Sequence, residues 1–96
     1  MTAYVIYQAD VLDPEQYGKY RERSPAAVAA GGGEFIVRGG EIDVLEGDAP
    51  LGRTVVVRFE SMEAARAWYD SEVYVEARAI REGAVRANAY IVDGVD

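Results

Sequence analysis

Two arginines and a set of aromatic side chains with polar tips are the residues in this sequence best suited to chemistry. Arg38 ends the run Phe35-Ile36-Val37-Arg38, and Arg58 sits among Val55, Val56, Val57 and Phe59. A guanidinium stays charged and offers paired donors, so either one could clamp a carboxylate or stabilise a developing oxyanion. Arg58 shares a strand face with Thr54 and Val56, which aims it into the space between packed sheets, where an unpaired charge is costly. Tyr17 and Tyr20 are one helical turn apart, and Trp68, Tyr69 and Tyr74 follow in a later segment. Such rings suit a small organic ligand, and a tyrosine of lowered pKa can move a proton where histidine is missing. Asp10, Glu46 and Glu60 are the carboxylates at strand positions that approach an interior, where burial would raise a pKa towards that of a general base. The candidate catalytic set is therefore Arg58, Arg38, Glu46 and Tyr20, and the candidate ligand-binding set is Tyr17, Trp68, Tyr69 and Tyr74. Each has a plainer role beside it. Arg38 would pair across strands with Glu41 or Glu46, Arg58 would pair with Glu46 or Glu60, and the aromatic stripe would be core.

Composition narrows the chemistry further. With no cysteine and no histidine among 96 residues, the sequence has no thiolate nucleophile, no imidazole base and no Cys or His metal ligand. A net charge of −7 with ten scattered basic residues argues against nucleic acid and anionic membrane, which are bound by clustered cations. Gly31-Gly32-Gly33 and Gly39-Gly40 are turn glycines and not a phosphate loop, because no lysine follows and no dinucleotide spacing is present. No metal and no cofactor are expected. The sequence has no long apolar run and no basic stretch ahead of its first strand, so neither a signal peptide nor a membrane span is expected, and the cytoplasm is the default location.

The elements that must position these residues follow from periodicity and caps. Residues 3–11 alternate as a strand. Asp13-Pro14-Glu15 supplies an N-cap acceptor, a proline where no N–H is needed and an acid at the positive end of a helix. Ser24-Pro25 predicts a kink or a fresh start in that helix, which Gly31 ends. Residues 35–47 read as a hairpin, two β-branched runs around the Gly39-Gly40 pair. A loop at 48–52 leads to a strand at 53–60. Ser61 caps a helix that Asp70-Ser71 either breaks or re-caps through residue 82. In that continuation Val73, Ala77, Ile80 and Ala84 form an apolar row, and Tyr74, Arg78 and Arg81 a polar one. The last strand is expected at 88–92.

The order of strand, helix, hairpin, strand, helix and strand makes one domain over 1–96, an α+β fold with an antiparallel sheet and its helices on one face. A domain of this length buries only about 60 to 65% of its unfolded surface, which favours association. The strands carry apolar side chains on both faces while the helices cover one. The other face is expected to join a second copy in a homodimer packed sheet to sheet.

Ala3-Tyr4-Val5-Ile6 with Asp13-Pro14-Glu15-Gln16-Tyr17, Arg38-Gly39-Gly40, Leu45-Glu46-Gly47 and Ala67-Trp68-Tyr69-Asp70-Ser71 with Tyr74 resemble the bacterial domain-of-unknown-function family 1330 over nearly the whole chain. The resemblance implies a ferredoxin-like βαββαβ fold of the dimeric α/β-barrel superfamily, and no particular reaction. That superfamily includes cofactor-free monooxygenases, polyketide cyclases and haem-degrading enzymes. Haem degradation through a proximal histidine and His-based cyclisation do not carry over to a chain without histidine. The expected function is binding of a small organic molecule between each sheet and its helices. Any catalysis would be cofactor-free proton transfer, an isomerisation or cyclisation of a reactive carbonyl compound. There Tyr or Glu would move the proton, and Arg58 or Arg38 would hold the charge. The competing reading is a non-catalytic binding or accessory module.

Overall fold

A computed structural model describes residues 2–95. β1 (Ala3–Val11) alternates strictly, with Ala3, Val5, Tyr7 and Ala9 buried against the helices and Tyr4, Ile6, Gln8 and Asp10 on the other face. α1 (Pro14–Ala30) starts at Asp13, whose carboxylate accepts the Gln16 N–H at 3.2 Å, and it buries Tyr17, Tyr20, Ser24, Ala27 and Val28.

The helix runs unbroken through Pro25, where the sequence predicts a kink or a second start. A proline at this position withholds the N–H that would bond the carbonyl four residues earlier, that of Arg21. The Arg38 guanidinium fills part of that gap, donating to the Arg21 carbonyl at 3.3 Å. A tertiary contact thus offsets a local defect.

The central hairpin is replaced by a longer excursion. β2 (Glu34–Arg38) pairs antiparallel with β3 (Arg53–Phe59), and residues 39–52 between them form no strand. Gly39 turns the chain out at φ 74° while its N–H still bonds Thr54 at 2.9 Å. A side chain there would strike the Arg53 guanidinium. Val44 and Leu45 find no face to bury, and Leu45 is 87% exposed. Val55 and Val57 instead pair with β1 on one side and accept β2 on the other.

A bulge between Phe35 and Val37 changes the facing of β2. Phe35 lies opposite Val57 and Arg38 opposite Val55, so both turn towards the helices, although simple alternation puts them on opposite faces.

α2 (Met62–Tyr69) is capped by Ser61. α3 (Glu72–Ile80) is capped by Ser71, whose hydroxyl accepts the Tyr74 N–H at 3.2 Å and donates to the Trp68 carbonyl at 2.7 Å. β4 (Val85–Asp93) is longer than the sequence predicts. The described residues form one antiparallel sheet in the order β2-β3-β1-β4, the ferredoxin-like arrangement, with the helices on one face. No helix among them is long and apolar enough to cross a membrane. On the helix-free face Ile6 lies between Val56 and Tyr90, and Tyr4 between Arg58 and Val92.

Asp10 ties the end of the excursion to β4. One carboxylate oxygen accepts the Gly52 N–H at 2.8 Å and the other accepts from Arg86 at 2.8 Å. The Gly52 hydrogen bond first, and Arg86 second, hold this carboxyl below the usual aspartate range, the reverse of the rise that a general base needs. A depressed folded pKa gives stability that is complete above the unfolded value and is lost as pH falls through the folded one. The tie should therefore persist throughout the neutral range. An NMR titration of the Asp10 carboxyl is expected to show a midpoint below 3.8, the value for an unperturbed aspartate. A midpoint at or above that value would mean the tie is absent in solution.

Candidate functional site

The helix side of the sheet does not close completely. A narrow cavity of about 40 Å3 lies between β1, β3, α1 and the α2–α3 pair, wide enough for water or a slim acid group. Tyr7 rises into it from the sheet because odd positions of β1 face the helices. Tyr17 and Tyr20 enter from α1, and Trp68, Tyr69 and Tyr74 from the opposite wall. The Tyr20 and Tyr74 hydroxyls share a hydrogen bond of 2.8 Å, and the Trp68 and Tyr74 rings stack at 4.1 Å between centroids. Close helix approach makes this wall possible, since a Cβ on Gly31 would lie 2.8 Å from that of Trp68.

Arg21, Arg38, Arg53 and Arg81 also line the cavity, and no Asp or Glu does. Among the described residues the salt bridges are Arg58–Glu34, Arg66–Asp70 and Arg86–Asp10, so none of these four arginines has a carboxylate partner. Arg81, at the end of α3, places its guanidinium carbon 5.0 Å from the Tyr7 ring centroid and 5.3 Å from that of Tyr20. Arg38 stacks on Phe35 at 4.7 Å, and Arg78 on Tyr69 at 3.7 Å. The Tyr7 hydroxyl and the Nε atoms of Arg53 and Arg81 are buried without a hydrogen-bond partner among the described residues. In a chain of net charge −7, this is a concentrated and uncompensated positive site.

The tyrosines titrate in the direction opposite to the one expected from the sequence. Burial pushes the Tyr7 and Tyr20 hydroxyls well above the ordinary tyrosine range, and the Arg81 charge only partly opposes it. Both stay protonated, so each keeps an O–H that can donate. Arg81 itself keeps its charge: burial works against it, but the Tyr74 and Tyr7 oxygens outweigh burial. The site can therefore bind an anion and stabilise an enolate. Neither a carboxylate nor an imidazole lines it to take a proton from carbon. Among the described residues no three acidic side chains gather as a metal-ligand set.

Of the residues singled out from sequence, Arg38, Tyr20, Tyr17, Trp68, Tyr69 and Tyr74 come together at this cavity. Arg58 does not. It is exposed on the helix-free face and pairs with Glu34, not with Glu46 or Glu60. Glu46 lies in the exposed 39–52 excursion, away from the lining, and Glu60 is exposed. Tyr7, Arg21, Arg53 and Arg81 join the site without having been singled out. Tyr7 was legible from its odd position in β1, and Arg81 from its place seven residues after Tyr74, on the same helical stripe. That stripe turns inward beside Ala77, Ile80 and Ala84 of the apolar row, which also pack inward, while Val73 at its start is exposed.

The family model described as Domain of unknown function (DUF1330) matches residues 2–95. No curated protein matches the sequence. Among solved structures the chain is similar to a protein of unknown function from Rhodopseudomonas palustris, at 16% identity over 99% of this chain and 83% of that one, with a TM-score of 0.77. A hypothetical protein of Arabidopsis thaliana superposes at 15% identity over 98% and 88% of the two chains, with a TM-score of 0.71. SnoaB, a cofactor-independent oxygenase from Streptomyces nogalater, does so at 10% identity over 99% and 94%, with a TM-score of 0.63. At these identities the likeness lies in the fold, that of the ferredoxin-like dimeric α/β-barrel proteins.

Proposed function

This chain belongs to the DUF1330 family across residues 2–95, and from that premise we propose that it binds a small organic anion, a carboxylate or an enolate, in the sheet–helix cavity of each subunit of a homodimer. The observation that supports this reading is the lining itself, which holds Arg21, Arg38, Arg53 and Arg81 and no acid. Arg53 and Arg81 are half-buried, where a cation without a partner is costly, and an anionic ligand supplies the missing partner. The donors on Tyr7 and Arg81 that lack partners are placed to receive its oxygens.

If turnover follows binding, the reaction is confined to a carbonyl compound acidic enough to be held as its enolate. Arg81 and the Tyr7 and Tyr20 hydroxyls would carry the developing charge, and the substrate or solvent would take the proton. Without turnover the same geometry makes a binding module. Exchange of deuterium from solvent into an enolisable 2-oxo acid separates the two. The homodimer reading is supported by Tyr4, Ile6, Val56, Tyr90 and Val92, which share the face that no helix covers.

Trp68 is the sole tryptophan and lines the cavity, so its fluorescence reports occupancy directly. Short monocarboxylates and 2-oxo acids are expected to change it saturably. Arg81→Met is expected to weaken that binding roughly ten- to a hundredfold, the worth of a charged hydrogen bond. Equal affinity in a folded Arg81→Met protein would remove the anion reading.

A further inference from the structure

A second space adjoins the cavity at Trp68. A groove of about 670 Å3 opens between α2 and β4, and Val5, Trp68, Tyr69 and Ala89 wall both it and the inner cavity. The two spaces are therefore neighbours across one set of side chains. Their chemistry differs sharply. The inner end holds four arginines without carboxylate partners among the described residues, whereas the groove is walled by Met62, Ala89 and Ile91. Its one arginine, Arg66, is already neutralised by Asp70 at 3.2 Å, and Glu63 adds the opposite charge at the rim. Nothing in the groove calls for a charged ligand, and its walls reward burial of apolar surface. Met62 stands 40% exposed there. Trp68, whose buried indole N–H has no partner among the described residues, is one of the side chains that the two spaces share.

We infer that the ligand is a two-part molecule, an acid whose carboxylate occupies the arginine end and whose apolar tail passes Trp68 to lie in the groove between α2 and β4. This rests on the anion reading above and names its substrate class: amphipathic acids, not small polar ones. A slim head suits the narrow inner space, and the wide groove suits a flexible alkyl or arylalkyl tail. A carbonyl or hydroxyl near the head of that tail would meet the Trp68 N–H.

The test is a Trp68 fluorescence titration with straight-chain carboxylates of increasing length, kept below their critical micelle concentrations, beside alkanols of matching length. Affinity for the acids is expected to rise about three- to fourfold per added methylene until the groove is filled, the increment for burying one CH2. Met62→Asp, which sets a carboxylate against the tail, is expected to flatten that dependence while short acids bind as in the parent. Met62→Gln should flatten it less. Acids that bind with one affinity whatever their length would overturn the two-part ligand and leave the anion reading standing. Alkanols that gain with length while no carboxylate binds better than its alkanol would sink the anion reading and keep only the groove. A length dependence unchanged in both Met62 variants would place the tail elsewhere and overturn the inference.

Discussion

Phe59→Ala is expected to cost about 3–5 kcal/mol of folding stability, at the upper end of what a single core truncation does. Phe59 is 1% exposed, the largest side chain in the chain that is fully buried. Its ring lies 5.1 Å from that of Trp68, centroid to centroid, and closes against the turn after α1, where a Cβ on Gly33 would sit 2.6 Å from the ring. Those walls cannot follow a shrinking side chain. One is the Trp68 indole, itself stacked on Tyr74, and the other is a glycine turn already at contact, so the void persists. Small domains have about 5–15 kcal/mol in total, and the loss is therefore a large share of it. Urea unfolding followed through Trp68 would show the midpoint falling with little change of slope. A loss below about 1 kcal/mol would mean that the turn collapses onto the gap and that its packing is softer than the distances imply.

Ile6→Asp is expected to raise the dissociation constant of the proposed homodimer by more than a hundredfold. Ile6 lies mid-sheet between Val56 and Tyr90, on the face turned away from the helices, so the subunit's own core does not depend on it. In a two-fold interface each substitution occurs twice, and an uncompensated charge enclosed there costs about 3–5 kcal/mol. Sedimentation velocity should show the parent as a dimer at micromolar concentration and the variant as a folded monomer. A monomeric parent would end the dimer proposal. A variant that stays dimeric would move the interface to another surface.

Local signals carried most of the fold. The odd–even pattern of β1 marked it as a strand, and Asp13, Ser61 and Ser71 cap helices as their types and positions imply. The misreadings share one cause, competition among partners distant in sequence. Gly39-Gly40 has the composition of a tight turn, yet β3 offers β2 a better ladder than residues 41–45 do, because Val55 and Val57 are already fixed against β1. Pro25 has the composition of a helix break, yet the Arg21 carbonyl that it orphans is met by Arg38 from another element. Arg38 faces the helices with Phe35, against simple alternation, because a one-residue bulge reverses every side chain beyond it.

The sequence alone determined the class of fold, the caps of its helices and the absence of cysteine and histidine chemistry, since all of these depend on composition or on neighbours within a few residues. Tertiary structure alone decided which charges lack partners. Arg58, Arg66 and Arg86 meet carboxylates, while Arg21, Arg38, Arg53 and Arg81 converge with Tyr7 and Tyr20 from separate elements on one cavity. Electrostatic compensation acts over a few ångströms of space, and strand pairing with helix packing sets those distances, so no reading along the chain can tell a free guanidinium from a paired one.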